Sequence, residues 1–336
     1  MLRERIMIMS NLPALGLAES PQVTVDHELI ALKFSLVAVY KELVMARRSH
    51  VVLLNACPER LYIYCLFRYL SPKTSWRLVS LDQNLLAPQS MYERITALIK
   101  KILLKKVDLF ILYLRDIRGY ERYYGISADR AAYLPFKVNV WDMIEEPERL
   151  SSDGEYVLVA GRSLRDLKTF IEAMRYLKYP AVLLHQGIEI MAKHDTIIPL
   201  DQLPENIKVI QHDGDRNSWF EFIQKARIVV IPTLPTITAA GVSVYLDAMA
   251  LKKCVILNDN PASRGILEKE AIIVPSQDPH RLAEAIRESW ENHELREYIA
   301  SEGQKYAQTL QGEKRLLKDI IECCAAHIGR VEQKSI

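Results

Sequence analysis

Ten short apolar runs, separated by stretches of helix length, constrain this chain more than any other feature. In the first half they are Ile6–Met9, Val51–Leu54, Leu78–Leu81 and Leu109–Leu112, with helix-length segments around 27–47, 58–70, 91–105 and 115–124. In the second half they are Tyr156–Ala160, Ala181–Leu184, Ile207–Ile210, Ile228–Ile231, Val255–Leu257 and Ile272–Val274. Continuous apolar strands alternating with helices form parallel sheets covered on both faces. The pattern therefore predicts an α/β chain built from doubly wound sheets.

At 336 residues the chain is long enough for about two domains of ~150 residues each. The stretch Phe136 to Gly154, FKVNVWDMIEEPERLSSDG, is acidic, contains Pro147 and shows no sustained period. It predicts an interdomain linker. The expected division is 1–138, a linker at 139–154, a second domain at 155–310, and a closing helix at 311–336 that either caps the second domain or crosses back to the first.

A net charge of +2 gives no global attraction for nucleic acid. The five cysteines (Cys57, Cys65, Cys254, Cys323 and Cys324) have no zinc spacing, which favours reduced thiols in a cytoplasmic protein. The first twenty residues superficially resemble a secretory signal, but Glu4, Ser10, Asn11 and Pro13 interrupt it, and Ile6–Met9 suits a first strand. No run approaches the ~18 apolar residues that a membrane span requires.

Ligands of open α/β sheets bind beyond the carboxyl ends of the strands. That rule points to Asn55, Asp82 and Arg115 in the first half. In the second half it points to Gly161–Arg165, His185–Gly187, Gln211–Asp215 and Thr238–Gly241. Two of these loops suit phosphate. After Ile228–Ile231, the chain passes through Pro232 and a threonine-rich loop to Ala239, Ala240 and Gly241, and a helix opens at Val242 carrying Asp247. A glycine turn feeding a helix start presents free N–H groups and the positive end of the helix dipole. After the strand YVLVA, Gly161 permits a sharp turn, and Arg162 and Arg165 suit bidentate phosphate contacts. Each loop alone also reads as an ordinary turn; together they favour a diphosphate site.

The segments YVLVAGRSLRDLKTFIEAMRYL, RIVVIPT with AAGVSVYLDAMALKKCVIL, and IIVPSQDPHRLAEAIRESW resemble the donor domain of glycosyltransferases with the GT-B fold, particularly the retaining family four (glycosyl transferases group 1). The resemblance covers residues 155 to 310; the first half matches in pattern only. It implies two Rossmann-like domains facing each other across a cleft, and transfer of a sugar from a nucleotide-diphosphate donor to an acceptor hydroxyl on a saccharide, a lipid-linked saccharide or a surface polymer. In that reading Asp247 grips the donor ribose, and the amides of Gly241, Val242 and Ser243, with Thr238 before them, meet the diphosphate. Gly161 turns the first loop toward the donor, Arg162 or Arg165 supplies positive charge to the leaving group, and Gln211 and His212 lie near the base. The departing charge is stabilised by fixed donors, so no metal and no resident cofactor are expected. Where the family has its first glutamate this chain has Ala239, and no glycine-rich loop follows Ile6–Met9.

Asp82 is the positional candidate for a catalytic base, although in the resembled family the departing phosphate often takes the acceptor proton. Asp213-Gly214-Asp215 reads better as a helix-capping turn than as a metal-binding pair. The histidines show no metal spacing. Within 90–106, Ile95, Leu98, Ile99 and Ile102 form an apolar face beside Lys100, Lys101, Lys105 and Lys106. This reads either as a helix packed on the sheet or as one resting on anionic lipid at the cytoplasmic face of a membrane. Two other functions remain open at this point: a nucleotide-sugar epimerase, and a catalytically degenerate GT-B binding or assembly module.

Overall fold

Every apolar run becomes a strand, and every strand pairs in parallel. The computed structural model describes residues 4–30, 35–199, 201 and 203–333. They divide into one unit of residues 1–135 with 314–336 and a second of 136–313.

In the first unit the strands are β1 (Glu4–Ser10), β2 (Val23–Leu29), β3 (Val51–Asn55), β4 (Arg77–Leu81), β5 (Leu109–Leu112) and β6 (Ala131–Tyr133), in the order β2-β1-β3-β4-β5-β6. Its helices include α1 (Leu36–Met45), α2 (Pro58–Leu70), α3 (Met91–Leu104) and α4 (Arg118–Tyr124). The helix expected around 27–47 is corrected. Its beginning belongs to β2, and the helix proper starts at Leu36, capped by the Ser35 hydroxyl. β2, sequence VTVDHEL, lies at the sheet edge and is half exposed, so it lacks the unbroken apolar run that marks the central strands. β6 is a short edge strand of the same kind.

The second unit carries β7 (Tyr156–Val159), β8 (Ala181–His185), β9 (Ile207–Gln211), β10 (Ala226–Ile231), β11 (Cys254–Asn258) and β12 (Ile272–Val274), ordered β12-β11-β10-β7-β8-β9. Counted within the unit, this is the 3-2-1-4-5-6 order of dinucleotide-binding Rossmann sheets. Its helices are α5 (Leu167–Arg175), α6 (Ile188–Ala192), α7 (Arg216–Lys225), α8 (Val242–Ala250), α9 (Pro279–Glu291) and α10 (His293–Leu310). The final helix, α11, runs Glu313–Gln333, and from Lys314 it groups with the first unit.

Helix starts follow local chemistry. Asp166, Asp215 and Asp278 cap α5, α7 and α9 by accepting from the amides of Thr169, Ser218 and Arg281 at 3.1, 2.9 and 3.0 Å. Replacing such a cap with alanine typically costs about 1 kcal/mol. Residues 139–154, read from the sequence as a linker, run along the second unit. Val138 and Val140 are buried in its core, and Trp141, Met143, Ile144 and Leu150 pack against it.

Candidate functional site

The strand order of the second unit reverses between β7 and β10, so the loops after these two strands flank the crevice that such sheets use for ligands. The loops are stitched together. Arg165 and Thr233 form an antiparallel bridge, Leu234 N donates to Leu164 O at 2.9 Å, and Asp166 N donates to Pro232 O at 3.0 Å.

Gly161 opens the loop after β7 with φ +105°, and a Cβ there would stand 2.1 Å from the Arg165 guanidinium. The reason is that Arg165 folds back over it. Its Nε donates to Ala160 O at 2.9 Å and its Nη1 to Ser163 O at 2.7 Å. The side chain is buried, and desolvation pulls its pKa down to about 10, which leaves it charged at neutral pH. Arg165 was expected at the diphosphate. In the structure it braces the loop from inside, where Leu164 in the left-handed region (φ 56°) turns the chain back on itself. Arg162 is exposed beside this brace. Its charge assists burial in lowering the pKa of His194.

The second loop ends at Gly241, which caps α8 with φ +96° and offers no side chain to the helix start. A Cβ at this position would meet Ile231 Cγ2 at 2.7 Å, so the close approach requires glycine. The amides of Val242 and Ser243 precede the helix's own acceptors, and no loop oxygen among the described residues takes them. These are the donors an anion would meet. Thr238 is buried just before them, its amide donating to Thr236 Oγ1 at 3.2 Å.

The rest of this loop is held by residues that the sequence reading passed over. Thr233 N and Oγ1 both donate to Asn258 Oδ1, at 2.6 and 3.0 Å, and Asn260 Nδ2 donates to Thr233 Oγ1 at 3.2 Å. Asn258 ends β11, so the strand-end rule itself would have found it.

Asp247 is buried inside α8, and its carboxylate is occupied. Oδ1 accepts from Asn139 N at 2.7 Å; Oδ2 accepts from Trp219 Nε1 at 3.0 Å and Asn139 Nδ2 at 3.3 Å. Desolvation raises its pKa against the opposing pull of the Trp219 and Asn139 hydrogen bonds. The residue expected to grip a ribose thus ties segment 136–140 and α7 to α8. Arg216 reinforces the tie by donating to Asn139 O at 2.8 Å and pairing with Asp142. Burial and the neighbouring Arg216 charge lower the pKa of Lys137, which pairs with Glu313.

At the end of β9, Gln211 is exposed and His212 is buried. His212 Nδ1 accepts from Gly214 N at 2.7 Å, and the ring stacks on Trp219 with centroids 6.0 Å apart. Accepting at Nδ1 assigns the neutral ring's proton to Nε2. Asp215 caps α7, as the turn reading of Asp213-Gly214-Asp215 expected, and Asp213 Oδ1 accepts the Asp215 amide at 2.9 Å. Among the described residues, no group of three or more His, Cys, Asp or Glu side chains is arranged to hold a metal ion.

In the first unit the order reverses between β1 and β3. There Asn11 Nδ2 donates to Asn55 O at 2.8 Å, and Asn55 N donates to Asn11 Oδ1 at 2.7 Å. Asp82 follows β4 in the left-handed region (φ 49°), its amide bound to Ile111 O at 3.0 Å. Burial raises its carboxyl pKa to about 6. Arg115 instead lies over the Tyr133 ring, 4.7 Å from its centroid.

Residues 142–306 match the family model described as Glycosyl transferases group 1. No curated protein matches the chain in sequence. Solved structures share the fold over nearly its full length. Sucrose-phosphate synthase from Thermosynechococcus elongatus is similar with a TM-score of 0.63 at 15% identity, covering 99% of each chain. HepE from Anabaena, solved in complex with UDP-glucose, is similar with a TM-score of 0.67 at 14% identity, covering 96% of this chain and 100% of its own. The α,α-trehalose 6-phosphate synthase of Burkholderia multivorans gives 0.61 at 11%, covering 99% and 100%. At such identities the likeness is one of fold.

Proposed function

We propose a donor site and a proton route for this chain, a glycosyltransferase whose second unit is a group 1 domain and whose two Rossmann-like sheets belong to the GT-B fold. The observation that carries the site is the start of α8. Gly241 caps it in a conformation that L-residues avoid, and the Val242 and Ser243 amides open beside the braced Gly161–Arg165 loop.

Transfer breaks the bond between the sugar's anomeric carbon and the diphosphate, and the electron pair leaves on the diphosphate. A new bond forms to the acceptor oxygen, whose proton must go to a base. The α8 amides, the helix dipole and Arg162 would stabilise the departing charge without reorganising, which supports a reaction independent of metal. Arg165 would hold the loop and add a buried positive charge behind it. Gln211 and His212 would face the base, and Thr238 the sugar or phosphate. We place the acceptor proton on the departing diphosphate, which corresponds to retention, and make Asp82 the alternative proton acceptor.

Asp247 would reach a ribose hydroxyl only by exchanging one of its hydrogen bonds to Asn139 or Trp219. This occupied carboxylate, the inward-folded Arg165 and Ala239 in place of a glutamate are specific observations in favour of a second reading, a binding module that does not turn over.

The test is calorimetry with UDP, GDP, ADP and their sugars, starting with UDP-glucose, which the similar HepE structure contains. Micromolar binding of one nucleotide sugar, followed by transfer or slow donor hydrolysis that EDTA leaves unchanged, is expected. Binding with no turnover selects the module. Interconversion of two nucleotide sugars without an acceptor would reveal an epimerase. Absence of binding by every nucleotide overturns the site.

A further inference from the structure

Helix α3 is amphipathic, but its apolar stripe faces outward. In α5 the apolar residues Leu167, Phe170, Ile171 and Met174 are all buried. In α3 the stripe Met91, Ile95, Leu98, Ile99 and Ile102 is 69, 57, 60, 54 and 48% exposed. The face turned into the unit is made instead by Ala97 and Leu104, with half-buried Lys100 and Lys101 alongside. The helix is firmly built in this orientation. Ser90 and Glu93 form a complete capping box, and Tyr69 Oη on α2 donates to Ile102 O at 2.6 Å. The neighbouring α2 leaves Leu66 and Leu70 52 and 78% exposed. Exposed apolar patches of this extent mark interaction surfaces.

The charge around the stripe selects the partner. Residues 90–106 hold five basic side chains and a single acid, in a chain whose net charge is only +2, and that acid, Glu93, is engaged in the cap. Lys106 lies 4.5 Å over the Tyr69 ring, at the border of the apolar patch. An anionic bilayer accepts both features at once. Apolar side chains enter the boundary between headgroups and acyl chains, and long lysine stems carry their ammonium groups to the phosphates. No described helix is long and apolar enough to cross a membrane, so α3 would lie in the surface plane.

We propose that α3 seats the first unit on an anionic lipid surface through Met91, Ile95, Leu98, Ile99 and Ile102, with Lys105 and Lys106 at the headgroups. The inference concerns an interaction surface and stands apart from the donor reading. It is tested by co-sedimenting the full chain with vesicles of phosphatidylcholine alone or mixed with phosphatidylglycerol. The chain is expected to sediment with the mixed vesicles and stay in solution with the neutral ones. The double substitution Ile95→Ser with Ile99→Ser is expected to weaken binding by tenfold or more, since it removes two buried aliphatic side chains from the contact. Lys105→Gln with Lys106→Gln should weaken binding most at low salt. Circular dichroism and nucleotide calorimetry on the same variants report folding and the donor site separately. Failure to bind the mixed vesicles overturns the proposal. So does equal binding by the Ile95/Ile99 variant, or a concentration-dependent dimer in analytical ultracentrifugation that this variant abolishes.

Discussion

In the second unit the strand order reverses between β7 and β10, and in the first between β1 and β3, but the two reversals offer an anion very different surroundings. Beyond β10 the following helix starts at a glycine with φ +96°, has no acid in its first turn, and leaves its first amides open among the described residues. Beyond β3 the following helix, α2, starts with Pro58, which has no N–H, and carries Glu59 in the first turn. The first-unit loops are also closed on themselves by the reciprocal Asn11–Asn55 pair, and Ala56 rather than glycine takes the left-handed position. One parallel architecture therefore holds both a helix start that presents open amides and one that disfavours anions. The difference lies in a few residues at the helix start, where the dipole and the orphan amides act.

The sharpest way to break this contrast is Gly241→Val. A β-branched side chain would be forced into the left-handed region, against Ile231 Cγ2 at 2.7 Å from the new Cβ. Moving the loop to relieve that clash should reduce nucleotide affinity by about 100-fold or more, in line with the loss of aligned phosphate donors. Calorimetry beside circular dichroism measures this, and retained affinity would remove α8 from the donor site.

Asp247→Ala comes next. It leaves the Asn139 amide and Trp219 Nε1 without their acceptor in a buried place, which should destabilise the second unit by about 3 kcal/mol. Urea unfolding followed by Trp219 fluorescence would show it. A change under ~0.5 kcal/mol would mean that the tie is weak and the carboxylate free for ribose.

For Asp82 the pH dependence is specific. Its carboxyl pKa in the fold is raised to about 6, above the ~3.9 of an unfolded chain. Between those values the folded state holds a proton that the unfolded state has released, so stability falls as pH rises through this window and levels off above it. Asp82→Asn should remove that slope. If Asp82 accepts the acceptor proton, the rate rises with pH to a plateau above about 6, and the asparagine variant loses both the rising limb and about 100-fold in rate. An unchanged profile assigns the proton to the departing diphosphate.

The smallest effect is expected from Asn11→Ala, which deletes two hydrogen bonds at the first-unit reversal and should lower stability by about 1–2 kcal/mol. Donor affinity should not change. Loss of affinity in this variant would dissolve the contrast between the two reversals.

Much of this was legible in the residues. The central strands declared themselves because β3, β5, β7, β8 and β11 are covered on both faces and so carry no polar break long enough to confuse them with loops. Glycine at 161 and 241 marked both second-unit loops, because only glycine suits those dihedral angles at such close approach. Edge strand β2 stayed hidden, since a half-exposed strand such as VTVDHEL tolerates charge. The orientation of α3 was ambiguous for a related reason: periodicity identifies an apolar stripe but not what lies against it.

The sequence alone determined the parallel α/β architecture and the loops that matter, because strand burial and left-handed turns are enforced residue by residue. Only the tertiary structure decided which partners the charged side chains in these loops and in α8 take. Arg165 became a brace because Ala160 and Ser163 present carbonyls to it, and Asp247 a tie because Asn139 and Trp219 converge on it. A buried charge takes whatever partners the fold brings within hydrogen-bond distance, and those partners stand up to 108 positions away in the chain.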